Sequence, residues 1–193
     1  MSVAVTPQKF DNVFFDPAAI TRVAQEMADV AGVARMDISI EVDETSLLGA
    51  FHVRELTPER LDVVIESGAF ENLRKPRHLS EEAARDVLGR MFLMVRDRLD
   101  PTFAFVGPGA AEGTLPVEHF AAWDTYTCGR LERRGYDMRK PRRLYLWRNR
   151  HGFSDASDAH FDALWNGDNL TWSDILERSE AARAIRGAPL KLE

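Results

Sequence analysis

The feature that most constrains this chain is the stretch 81–98, which reads as one long amphipathic helix. Ser80 offers an N-cap, and Glu81 and Glu82 stand at the positive end of the helix dipole. Ala84, Val87, Leu88, Met91, Phe92, Val95 and Leu99 recur at helical spacing, so one apolar stripe must be covered by the rest of the chain. Arg96 and Arg98 suit the negative end, and Asp100-Pro101 stops the helix.

A second helix is expected over 17–31. Asp16 is its cap, Pro17 its first residue, Ile20, Val23, Ala24, Met27, Val30 and Ala31 its buried stripe, and Gly32 its end. Ile38, Ile40 and Val42 alternate with Ser39 and Glu41, the period of a half-buried strand. After the turn Asp43–Ser46, residues 47–53 read as the returning strand of an antiparallel hairpin. Residues 57–66 pull two ways: Thr57-Pro58-Glu59 starts a helix well, whereas Val63-Val64-Ile65 prefers a strand.

Phe103–Val106 and Leu144–Trp147 read as two further short strands. Helices are expected over 116–134, 155–165 and 172–186, the last two capped by Ser154 and Thr171, with Asp174 completing a capping box. Residues before about 12 form a short strand or arm anchored by Val13-Phe14-Phe15, and those after Gly187 a tail. Helices outnumber strands and the order is not regularly βαβ. The expected class is therefore α+β, one domain, predominantly helical, with a small mostly antiparallel sheet.

The 193-residue length suits one core. A single cysteine, Cys128, rules out an internal disulfide and a thiolate zinc site. No basic start leads into a signal-type apolar run, and no apolar stretch approaches the ~20 residues a membrane helix needs. These features fit a soluble cytoplasmic protein with no membrane partner.

Net charge is −6, but it is unevenly spread. Residues 129–151 carry nine Lys or Arg against two acids, a surplus of seven, which leaves −13 for the remainder. Arg130, Arg133, Arg134, Arg139, Lys140, Arg142, Arg143, Arg148 and Arg150 are interleaved with Tyr136, Tyr145 and Trp147. Arginine favours planar contact with carboxylate or phosphate, and aromatic rings can stack on bases. The functional reading is a patch for an acidic protein surface or another anionic partner, with Arg134, Arg139, Arg142, Arg143 and Trp147 as the contact residues. The plain alternative is pairing with the chain's own acids. Nucleic acid is the less favoured partner, because no RNA- or DNA-binding motif is present and an acidic body repels phosphate.

Three other patterns bear on chemistry. His151, Asp155, Asp158 and His160 are residue types that bind zinc, manganese or iron, and would support a metal-dependent hydrolase if they met. A helix over 155–165 puts Asp155, Asp158 and Asp162 on one face and His160 on another. Gly107, Gly109 and Gly113 precede a helix as a phosphate-binding loop does, but Thr114-Leu115-Pro116 intervenes and no Walker sequence exists. Cys128 lies among apolar neighbours, nine residues from His119, and reads as a buried small hydrophobe.

The order of elements over 18–99 (helix, hairpin, long helix) is similar to the opening of a minimal zincin-type metallopeptidase fold. Residues 81–98 contain no histidine, so that similarity implies no activity. No catalytic set and no cofactor signature emerges. The leading expectation is a non-enzymatic interaction or regulatory protein, with a metal-dependent hydrolase and an RNA or nucleotide binder as alternatives.

Overall fold

The structure is a computed structural model that describes residues 2–107 and 115–187. The described residues divide into two compact units, residues 2–99, and residues 100–107 with 115–187. Among the described residues there are six α-helices and six short strands, an α+β arrangement in which helix predominates.

Unit 1 holds β1 (Ser2–Thr6), α1 (Pro17–Ala31), β2 (Asp37–Asp43), β3 (Phe51–Leu56), β4 (Arg60–Glu66), β5 (Glu71–Asn72), β6 (Lys75–Leu79) and α2 (Glu81–Leu99). The caps read from sequence are in place. The Asp16 carboxylate accepts from Ala18 N–H at 2.9 Å, and the Ser80 hydroxyl accepts from Ala83 N–H at 3.2 Å. Gly32 closes α1 at φ 79°. Of the apolar stripe of α1, Ile20, Val23, Ala24, Met27 and Ala31 are buried and Val30 is half-buried, and the helix packs on α2 and β1.

The main sheet runs β1-β2-β4-β3. β1 and β4 both lie parallel to β2, while β3 is antiparallel to β4. Register sets Ile38 beside Leu61, Ile40 beside Val63 and Val42 beside Ile65, so alternate residues line one buried face. The expected hairpin between 38–42 and 47–53 is therefore corrected: residues 51–56 turn back on β4, not on β2. The cause is local. Only Thr57–Glu59 separates β3 from β4, and the Thr57 hydroxyl accepts from the N–H groups of Glu59 (3.3 Å) and Arg60 (3.0 Å). The residues that resemble a helix start are the turn of a tight hairpin, and β-branched Val63, Val64 and Ile65 continue as strand. β5 and β6 form a separate antiparallel pair.

Unit 2 gathers α3 (Val117–Glu132), α4 (Lys140–His151), α5 (Asp155–Trp165) and α6 (Trp172–Gly187). α3 packs against the other three helices. Two strand expectations fail here. Residues 103–106 form no strand, because Ala104 adopts φ 54° and breaks the extended run. Leu144–Trp147 lies inside α4. Its apolar residues divide between two helix faces, Trp147 inward and Tyr145 and Leu146 outward, which four residues alone cannot distinguish from a buried strand.

The capping box of α6 is complete. Thr171 N–H and hydroxyl both donate to Asp174 Oδ2 (2.8 and 2.7 Å), and Thr171 Oγ1 accepts from Asp174 N–H at 3.3 Å. These bonds hold the Asp174 carboxyl below its usual range. Asp174→Ala is expected to lower stability by about 1 kcal/mol in urea denaturation. No change in the midpoint would remove the box from the stabilising contacts.

Candidate functional site

The basic segment spans the end of α3, a connecting turn and all of α4. Arg139 enters α4 in the left-handed conformation, φ 51° and ψ 54°, with its N–H on Asp137 Oδ1 at 2.9 Å. No side chain caps the first turn of α4. Lys140, Arg142 and Arg143 crowd that turn, the end at which the helix dipole disfavours positive charge. At the other end Gly152 N–H bonds to Arg148 O at 2.8 Å.

Many of the basic side chains are engaged within unit 2. Arg130 lies over the Tyr126 ring at 4.2 Å. Arg133 donates through Nη1 to Trp165 O and through Nη2 to Gly167 O, both at 2.6 Å, and so caps the C-terminal end of α5. Lys140 Nζ is 2.8 Å from Asp162, and Arg143 Nη1 is 3.4 Å from Asp124. Arg148 grips Asp158 with two bonds, Nε to Oδ1 at 3.0 Å and Nη2 to Oδ2. This fork holds the Asp158 carboxyl below its usual range and the Arg148 guanidinium above its own. The plain alternative thus accounts for a large part of the charge.

Arg134, Arg139, Arg142 and Arg150 are exposed. Trp147, expected among the contact residues, is 1 % exposed, with its indole N–H on Ser157 Oγ at 3.0 Å. The aromatic surface is supplied instead by Tyr145 (59 % exposed) and Phe153 (65 %), whose rings meet edge to face at 6.2 Å. Leu146 (44 %) adjoins Tyr145 in sequence. Residues 142, 145, 146, 149 and 150 follow helical spacing, a signal present in the sequence but hidden while 144–147 is read as a strand, and Phe153 meets Tyr145 from beyond the end of α4.

The four proposed metal ligands are held separately. His151 is buried, stacked on Trp147 at 3.6 Å, with Nε2 2.9 Å from Ser179 Oγ and Nδ1 3.4 Å from Trp147 O. Burial pulls its pKa down to about 4. Asp158 is bound by Arg148, Asp155 is exposed in the first turn of α5, and His160 is half-buried further along. Among the described residues, no three His, Cys, Asp or Glu side chains are grouped so that they could hold a metal ion.

Cys128 is buried, and His119 faces Glu180 at 3.8 Å. Of the glycine loop only Gly107 lies within the described residues; Gly109 and Gly113 lie outside them. No described helix is long and apolar enough to cross a membrane. Compared with known proteins, the chain matches no family model, no curated protein and no solved structure.

Proposed function

We propose that this protein is a non-enzymatic interaction module whose outer α4 face receives an acidic segment of a partner protein. The carrying observation is the exposed set Tyr145, Leu146 and Phe153 flanked by Arg142 and Arg150. Exposed apolar side chains grouped beside arginines are the composition of an interface anchor. Charge supports the choice of partner. Arg134, Arg139, Arg142 and Arg150 give this surface its basic character. The basic, uncapped first turn of α4 also works against helix stability, and such local violations gather at functional sites. An acidic segment placed there would relieve the cost.

The test is fluorescence anisotropy with a labelled peptide of about twelve residues, the length of α4, alternating Glu with Leu or Phe. Poly-uridine serves as the second probe. The peptide is expected to bind at low salt and to weaken as salt rises. Arg142→Glu with Arg150→Glu should lower affinity by at least roughly tenfold, and Tyr145→Ala with Phe153→Ala by a similar factor. Absence of peptide binding at low salt would end this reading. Tighter, salt-dependent binding of poly-uridine would transfer the surface to RNA.

A further inference from the structure

Unit 2 carries two features that helix packing alone does not call for, one on the strap that opens it, residues 100–107, and one at the start of α6. Ala104 sits at φ 54°, where its Cβ crowds the following carbonyl. Trp172 is buried, yet its indole Nε1–H has no acceptor. An orphaned buried donor in a folded protein requires an explanation.

Both features bear on one aromatic cluster. Phe103 is fixed beneath it: its N–H donates to Asp100 O at 3.1 Å, and its carbonyl accepts from Trp172 N–H at 2.8 Å. Phe103 and the rings of Trp123 and Trp172 are buried, with the two indoles 5.3 Å apart. Phe105 is different. It is half-buried and lies against Trp123 at 5.1 Å and Trp172 at 4.9 Å. Gly107 folds back over the same ring: a Cβ at 107 would fall 2.6 Å from Phe105 Cζ. Phe105 thus covers two buried tryptophans between a strained residue and a glycine.

We propose that Phe105 is a displaceable plug in a binding site for a planar heteroaromatic ligand. The ligand ring would take the place of the phenyl ring against Trp123 and Trp172. An in-plane nitrogen or oxygen acceptor would satisfy the Trp172 N–H. Release of the strap would let Ala104 leave its left-handed conformation, so the strain favours opening. An aromatic ring on two indoles gives affinity for flat ligands, and the unmet donor gives selectivity among them. This site is independent of the α4 surface.

Quinoline and naphthalene are suitable probes, because they share a shape and differ by one ring nitrogen. The full chain is titrated with each while the indole N–H resonances are followed by NMR, with Trp172→Phe assigning the Trp172 signal. Quinoline is expected to move that signal downfield and to bind at least roughly threefold more tightly than naphthalene, a preference lost in Trp172→Phe. Gly107→Ala pushes the phenyl ring aside without deleting it and should tighten quinoline binding by roughly tenfold. Phe105→Ala should act in the same direction, and Gly107→Ala remains informative if that variant folds poorly. Three results would overturn the proposal: no perturbation of the indoles in wild type, binding confined to the variants, or equal affinity for the two probes.

Discussion

Gly129→Ala should destabilise unit 2 by about 3 kcal/mol or more, the largest single-residue effect we expect in this chain. Gly129 is where α3 meets the end of α5. A Cβ there would lie 1.9 Å from the Trp165 carbonyl oxygen and 2.7 Å from its carbon. Both are main-chain atoms, so no rotamer change can make room; the helices themselves must separate. Separation would also pull the Trp165 carbonyl from Arg133 and shift Trp165, whose indole N–H bonds to Glu132 at 2.7 Å. For the whole 193-residue chain unfolding together, each kcal/mol moves the melting temperature by roughly 2–4 °C, so a fall of roughly 6–12 °C is expected. A calorimetric midpoint within about 2 °C of wild type would mean that the helix spacing is not set at Gly129.

The second large effect is a dependence of stability on pH carried by His151. Its pKa is about 4 in the folded protein, against 6.5 for an unperturbed histidine, and burial is the main cause. The Trp147 carbonyl and Glu118 oppose that fall, while His119 and Arg183 add to it. The unfolded chain therefore takes up the proton first, and folding loses free energy as pH falls from 6.5 towards 4. Linkage gives a loss of about 2 kcal/mol at pH 5 relative to pH 7.5, and none above neutrality. His151→Gln keeps a neutral hydrogen-bonding side chain near Ser179 and should flatten the difference in urea-unfolding free energy between pH 7.5 and 5. An equal slope in wild type and variant would show that the imidazole reaches solvent.

What could be read from the sequence, and what could not, follows the range of the forces involved. Asp16, Ser80, Ser154 and the Thr171–Asp174 pair act on groups within a few residues, and each forms the cap its position suggests. The alternation of Ile38, Ile40 and Val42 is equally local and gives a strand with one buried face. Choice of partner is not local. Residues 38–42 carry the same pattern whether they pair with 51–56 or with 60–66, and the three-residue turn at 57–59 decides between them. The positive conformation of Ala104 leaves no trace in its residue type.

The candidate surface shows the same division. The excess of positive charge between 129 and 151 is plain in the sequence. Which arginines meet Asp124, Asp158 or the carbonyls of Trp165 and Gly167 depends on helices packed in three dimensions. Trp147 is the natural contact residue only while 144–147 is read as a strand. Once the segment is a helix, its period sends Trp147 inward to Ser157 and leaves Tyr145 and Leu146 outside.

The joint between α3 and α5 also bears on ancestry. Gly129 permits contact at one turn of α3, and Arg133 ties down two carbonyls one turn later. Lysine, a single point donor, could not reproduce that forked grip. A distant cousin that keeps this helix spacing must therefore keep a glycine and an arginine four positions apart, even where every other letter has drifted. That pair is the mark by which kinship could be traced.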